Sequence, residues 1–353
     1  MNKKIASAFT ASLFYMSFAT AADDMQMRNL ENRVNALEQR RGSNGMINPP
    51  ARPVVKDGID LWVQAEALYM RPTEDGLGYS IHTSDTTAAF PGVHVKNARY
   101  KWDWGFRVGA GYNLDHDGWD ILANYTWFKD ETHQNVSGGI VFPTEVHPVN
   151  AGTATTQNAK SHLNLWVNIL DVELGREFFV SKWLTLRPQM GVRALWISRR
   201  YNTEYSRLIN GSDYEVHMRN RFSGAGLRGG LNTQWGIGSG WSLFGEVDVA
   251  LMYGQQRIRQ GEKLETGDVS RGFSTDKWMA LRSSIDLALG VRWDRLLCDD
   301  NYRIRFQLGW EDHIFLDMNQ NYRFTNSVTE GVFAGNRGNL SLNGLAFQAR
   351  FDF

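Results

Sequence analysis

The chain has 353 residues, and its 38 basic side chains balance 38 acidic ones, a neutrality that argues against nucleic acid as partner. Aromatic residues make up 12%, and 34 glycines accompany 8 prolines and one cysteine, a composition suited to a strand-rich fold without internal disulfides. Downstream of the N-terminus no stretch approaches ~20 consecutive apolar residues, so any membrane insertion must use something other than a helix.

Asn2-Lys3-Lys4 is a short positive region, Ile5 to Phe18 is apolar, and Ala19-Thr20-Ala21 matches a small-x-small cleavage site. Residues 1–21 therefore read as a signal peptide cleaved after about Ala21, which predicts an exported chain. Within 22–45, the run 25–41 (MQMRNLENRVNALEQRR) places Met27, Leu30, Val34 and Leu37 on one coiled-coil seam. Arg33 to Glu38 resembles the Arg-h-x-x-h-Glu signature of trimeric coiled coils, and a solvated amphipathic helix fits the same residues. Pro49, Pro50 and Pro53 make 46–58 an extended linker.

From Ile59 onward the apolar period is 2, and strands are expected near 59–70, 100–114, 118–129, 162–178, 183–201, 220–235, 241–256, 277–293, 302–316 and 342–353. Short turns at 114–119, 178–183, 236–241 and 294–301 alternate with long polar segments at 71–99, 130–161, 202–219, 257–276 and 317–341. That is the layout of an all-β fold, a transmembrane antiparallel β-barrel over 59–353 of about ten strands. The segment GGIVFPTEV, Gly138 to Val146, either adds a hairpin and raises the count to twelve or folds inward.

Trp119, Trp183, Trp241, Trp293 and Tyr302 lie near the short turns, whereas Trp104, Trp127, Trp196 and Tyr253 lie toward the long segments. Trp241 to Tyr253 spans ~40 Å of strand, or ~30 Å of height at a ~40° tilt, the thickness of a membrane with its interfaces. A soluble sandwich or lipocalin-like barrel would explain the alternation but neither the strand lengths nor the two belts. In the stretch YKWDWGFRVGAGYNL, Tyr100, Trp102, Trp104, Phe106, Val108, Ala110 and Tyr112 are expected to face lipid, with Lys101, Asp103 and Arg107 facing the lumen. The last strand, LAFQARFDF, puts Leu345, Phe347, Ala349, Phe351 and Phe353 on one face and resembles the terminal signal read by the outer-membrane assembly machinery.

The opposite face is charged and must be wet, ion-paired or both, because an Arg facing hydrocarbon at the midplane costs ~2 to 4 kcal/mol. Lumen-lining candidates are Arg107, Asp171, Glu173, Arg187, Arg193 and Arg228, followed by Glu246, Asp248, Asp286, Arg292, Arg303 and Arg305. Gly105-Phe106-Arg107, Gly191-Val192-Arg193, Gly226-Leu227-Arg228 and Gly290-Val291-Arg292 repeat a Gly-x-Arg pattern, with each Gly expected to make room for a guanidinium along the wall. The arginines either form a basic constriction that prefers anions or pair laterally with acidic neighbours, Asp171 and Glu173 with Arg187 and Arg193 among them.

Several stretches, WVQAEALYMRPTEDGLGY (62–79), WGFRVGAGYNLDHDGWDI (104–121), LDVELGREFFVSKWLTLRPQMGVRALWI (170–197), GLRGGLNTQWGIGSGWSLFGEV (226–247), DLALGVRWD (286–294) and LGWEDHIF (308–315), resemble the major-outer-membrane-protein-like porin family of Legionella and the environmental chlamydiae. The resemblance implies an outer-membrane barrel that passes small hydrophilic solutes or ions by diffusion, without catalysis or cofactor. A structural or adhesive barrel with a plugged lumen is the alternative reading. A rim-site hydrolase is the third: seven of the eight histidines fall toward the long segments, yet no Ser-His-Asp, HExxH or metal spacing emerges, so no catalytic residue or metal ligand is expected. Expected partners are outer-membrane lipid, further copies of the chain forming a trimer through 25–41, and the assembly machinery through Phe353. Cys298 is either an inter-subunit disulfide partner or a free thiol.

Overall fold

The computed structural model describes residues 51–353 apart from 53–54, 57, 84–92, 116, 147–155, 207–212, 265–269, 275–276 and 325–332. The expected signal over 1–21, the coiled coil over 22–45 and much of the 46–58 linker lie outside the described residues. Among those residues all regular structure is β, and no helix is long and apolar enough to cross a membrane.

The strands in chain order are β1 (Leu61–Glu74), β2 (Gly78–Thr83), β3 (His94–Asn97), β4 (Asp103–Asn113), β5 (Trp119–Pro143), β6 (Thr156–Arg176) and β7 (Phe178–Phe179). They continue with β8 (Leu184–Ser206), β9 (Tyr214–Gly238), β10 (Trp241–Leu264), β11 (Ser270–Ser274), β12 (Trp278–Leu297), β13 (Tyr302–Phe324) and β14 (Phe333–Asp352). Ten of these form an antiparallel ring in the order β1, β4, β5, β6, β8, β9, β10, β12, β13, β14. The ring closes because β1 pairs on both sides: Trp62 faces Gly111 of β4 and Asp352 of β14, and Phe353 N–H donates to Leu61 O at 2.9 Å.

The count is ten, not twelve. GGIVFPTEV adds no wall hairpin; it prolongs β5 to Pro143 and pairs with β2, Ser80 opposite Pro143 and Thr83 opposite Ile140. Much of what reads as long polar loop is strand, since β5 and β9 run 25 residues each and β10 runs 24. At the other end the turns are tight. Ser239 and Gly240, with φ of 52° and 81°, form the two-residue turn between β9 and β10, the primed geometry that matches strand twist.

The outer surface carries an apolar band between the two belts. On β10, Trp241, Leu243, Val247, Val249, Leu251 and Tyr253 are all exposed, and Leu227 and Leu289 are 73% and 70% exposed on neighbouring strands. Side chains this apolar in contact with water are a large cost, which is removed when lipid surrounds them. Beyond Tyr253, β10 continues for eleven residues, lifting the wall roughly 25 Å above the band.

At the belt the polarity of β6 and β8 inverts. On β8, Arg193 points inward and Val192 outward within the band, whereas above it Leu195, Ile197, Tyr201 and Tyr205 are buried inside while Arg200 and Glu204 are exposed outside. On β6, Asp171 and Glu173 line the lower interior and Leu163, Leu165 and Val167 fill the upper one. The membrane segment is thus polar inside and apolar outside, and the projecting segment is packed like a soluble barrel. Tyr100 departs from the expected lipid-facing row: it precedes β4, turns inward, is 3% exposed, and its hydroxyl donates to Glu74 Oε2 at 2.8 Å.

Candidate functional site

Within the band the inward side chains form a lattice of ion pairs. Arg193 on β8 chelates Asp171 on β6, Nε to Oδ1 at 2.7 Å and Nη2 to Oδ2 at 2.9 Å. Arg187 holds Glu173 at 2.9 Å and also reaches Asp120 on β5 at 3.1 Å, while Arg228 on β9 donates to Asp248 at 2.8 Å and contacts Glu173. Arg193 to Asp171, Arg187 to Glu173 and Arg228 to Asp248 are lateral pairs between adjacent strands, whereas Arg187 to Asp120 and Arg228 to Glu173 each skip one strand, and a bidentate guanidinium to carboxylate contact fixes register as well as charge.

Two contacts cross the lumen. Arg107 on β4 pairs with Glu66 on β1 and reaches past β14 to Glu311 on β13 at 2.9 Å. His313, two residues along, faces Glu311 with Nε2 at 3.0 Å and Asp286 on β12 with Nδ1 at 2.9 Å. Asp286 in turn meets Arg193 at 2.6 Å, so one chain of charged groups runs Arg107, Glu311, His313, Asp286, Arg193, Asp171 from wall to wall.

The remaining candidates lie nearer the short-turn end. Arg292 bonds Gln307 and Gln234 and stands 3.8 Å from Glu246; Arg305 pairs with Asp294 at 2.7 Å; Arg303 pairs with Asp294 and, at 2.9 Å, with Asp352. Of the two arrangements open to the Gly-x-Arg set, lateral pairing is present, since each of its four arginines has a polar partner on an adjacent strand. The glycines of the set serve differently. A Cβ on Gly191 would collide with the Val172 carbonyl, on Gly226 with that of Leu251 and on Gly290 with that of Leu308, so they allow close approach of the adjacent strand rather than space for a guanidinium.

Between these groups lies a cavity of about 120 Å³, lined from His313 and Asp286 at mid-barrel to Arg52 and Glu177 at the short-turn end. Nine carboxylates and eight guanidiniums line it, so it is nearly neutral and can hold water on either sign of charge.

Above the cavity the lumen is filled. Leu68, Met70, Phe128, Leu163, Leu165, Phe222, Met252 and Phe315 from the wall pack with Leu77, Tyr79, Ala98 and Tyr100 from the segments that follow β1 and precede β4. The segment at 75–79 is captured through its backbone: Asn319 Nδ2 donates to Asp75 O at 2.6 Å, Tyr201 to Leu77 O at 3.1 Å, Arg323 to Gly78 O at 2.8 Å and Tyr205 to Tyr79 O at 2.6 Å. Arg199 on β8 binds Glu74 on β1 and Asn321 on β13. Outside the membrane segment, burial pushes Glu74 and Glu145 above the ordinary carboxylate range against the pull of Arg199 and Arg323, and burial raises Asp130 to about 6. This apolar plug went unpredicted, although the inversion along LNLWVNILDVEL, Leu163 to Leu174, carries its signal.

Three side chains of a kind that can ligate a metal do come together, which no sequence spacing showed. On the outer wall above the belt, His133 and His162 stand opposite each other on β5 and β6, and Glu131 joins them, their ligand atoms within 4.8 Å. Glu131 and His133 lie two residues apart on β5, and strand register brings His162 of β6 to them.

A closed antiparallel barrel with an apolar band, two aromatic belts and a charged interior is an outer-membrane β-barrel protein. Residues 52–353 match the family described as the Legionella pneumophila major outer membrane protein precursor, and the chain belongs to that family. This membership and the fold place the protein in the bacterial outer membrane. No curated protein matches the chain. Among solved structures, the outer membrane protease OmpT of Escherichia coli is similar at 10% identity, covering 84% of this chain and 97% of that one, with a TM-score of 0.38. A FadL homologue of Pseudomonas aeruginosa gives 7% identity, 88% and 95% coverage and a TM-score of 0.27. The P. putida toluene transporter TodX gives 8% identity, 87% and 93% coverage and a TM-score of 0.23.

Proposed function

We propose that the protein is a low-conductance outer-membrane porin that passes small hydrophilic solutes or ions and rests closed. The observation that carries this reading is the position of the plug. The polar cavity reaches the short-turn end, and the apolar cluster that fills the lumen above it includes Leu77, Tyr79 and Tyr100, which belong to connecting segments rather than to the ten-stranded wall. Such segments move more readily than a closed sheet. The near balance of charge in the cavity supports weak selectivity between anions and cations. Catalysis has no part in this reading.

A second reading, a structural barrel closed permanently, is favoured by the four side-chain bonds that hold 75–79 to β8 and β13. Planar-bilayer recording of the refolded chain separates the two. Small single-channel steps that grow when Tyr79 and Tyr100 are replaced by Ala support the pore; no steps from either protein would leave only the structural barrel. Assembly as a trimer through residues 25–41 is part of the proposal, and cross-linking with and without that segment tests it.

A further inference from the structure

Above the belt, the outward face of β8, β9 and β10 carries Arg200, Arg219, Arg221, Arg257 and Arg259. The register sets them against one another: Arg221 opposite Arg257, Arg219 opposite Arg259, and Arg200 opposite Arg219. Like charges directly across an antiparallel pair are destabilising. Among the described residues none of the five pairs with a carboxylate. Glu204 is engaged with Lys160 at 3.6 Å and Glu215 with His217 at 3.3 Å, both farther from the membrane, and Arg219 Nε is buried without a partner. Burial and the neighbouring Arg200, Arg257 and Arg259 all disfavour the charged form of Arg221.

Height identifies the missing anion. Arg200 lies four residues beyond Trp196 and Arg257 four beyond Tyr253, which is ~10 Å above the belt for tilted strands, the level of the outer-leaflet headgroups. Arg200 also lies over the Trp166 ring at 5.1 Å, tying the patch to the aromatic interface. We infer that these five arginines bind the phosphorylated headgroup of an outer-leaflet lipid, with guanidiniums from three strands sharing its phosphate oxygens.

The full chain, folded in uncharged detergent, would be titrated with bisphosphorylated lipid A, with its dephosphorylated counterpart and with inorganic phosphate while the thermal midpoint is followed. The expected result is a rise of several degrees with the phosphorylated lipid alone. The triple variant Arg219→Gln, Arg221→Gln and Arg257→Gln should lose that rise, and without lipid it should melt no lower than the native protein, because repulsion has been removed. Arg221→Gln alone, a milder change, should reduce the rise. An equal rise with the dephosphorylated lipid or with inorganic phosphate, or an undiminished rise in the variants, overturns the assignment.

A separate observation concerns Glu131, His133 and His162. The two rings stack at 4.0 Å, and the same oxygen, Glu131 Oε1, lies 3.1 Å from His162 Nε2 and 3.8 Å from His133 Nε2. Lys129 holds the other oxygen at 3.1 Å and so fixes the carboxylate. The geometry points to a binding site for a borderline divalent cation such as Zn²⁺, with two imidazoles, one carboxylate and water as ligands. Calorimetric titration of the folded chain with zinc chloride should give one site per chain that is lost in His133→Ala with His162→Ala. Undiminished binding by that double variant, or no binding by the native chain, overturns the site.

Discussion

Arg193 on β8 and Asp286 on β12 meet at 2.6 Å although β9 and β10 separate their strands in the wall. Arg193 is 2% exposed and also chelates Asp171, so one guanidinium compensates two buried carboxylates from opposite sides of the lumen. Removing it leaves Asp171 without its ion pair and Asp286 with His313 alone, and breaking a buried pair of this kind costs about 3 to 5 kcal/mol. Arg193→Ala should therefore lower the urea midpoint of the lipid-embedded barrel by that order. Adding Asp286→Asn to that variant should recover part of the loss. A midpoint within error of the native protein would mean that water replaces the guanidinium at no cost.

Gly226 faces the carbonyl of Leu251 so closely that any Cβ must displace the neighbouring strand. Gly226→Ala should cost about 1 to 3 kcal/mol through backbone shift and loosen Arg228, two residues away, from Asp248. Gly229 has only one distant contact, the Gln189 carbonyl at 3.8 Å, so Gly229→Ala on the same strand serves as the control and should leave stability within ~0.5 kcal/mol. Equal midpoints for the two variants would rule out close strand approach as the reason for the glycine.

The barrel was legible because period-2 alternation, two aromatic belts and short turns alternate along the chain, and the lower lumen was legible because Asp171, Glu173, Arg187 and Arg193 sit on consecutive strands. What lay beyond reach depends on chords across the ring. No local pattern links Arg107 to Glu311 or Arg199 to Glu74, since residues two or more strands apart share no ladder. The plug was missed for a different reason. A fixed phase of alternation was assumed for each whole strand, whereas the surroundings change from lipid to water at the belt and the phase inverts there, placing Leu165, Ile197 and Phe222 inside. Tyr100 departs for another reason, since it precedes β4, where the chain turns inward and no strand alternation applies.

Tyr205 offers a test of the plug without enlarging any cavity. Its hydroxyl donates to the backbone of Tyr79, and Tyr201 does the same to Leu77. Replacing both by Phe keeps the rings and removes the two bonds, each contributing about 0.5 to 1.5 kcal/mol. Open probability in planar bilayers should rise by about 5-fold to 150-fold for a two-state plug, taking the sum as 1 to 3 kcal/mol. An unchanged open probability would place the gate elsewhere.

Asp130 gives the outer half of the barrel a pH dependence of definite sign. It is buried on β5 just above the belt, its Oδ2 accepts from the Lys101 N–H at 3.2 Å, and its Oδ1 is buried without a partner. Burial, helped by Asp103 and Glu131 and opposed by Lys101, raises its carboxyl from 3.8 to about 6. The folded protein therefore binds this proton more tightly than the unfolded chain, so the stabilisation is complete below about pH 4 and is lost as pH rises through 6. The native barrel should lose on the order of 1 to 3 kcal/mol from this group between pH 4 and pH 7. Asp130→Asn, neutral at every pH, should flatten that slope and unfold at a higher denaturant concentration than the native protein at pH 7, and matching slopes for the two proteins would remove Asp130 as the source.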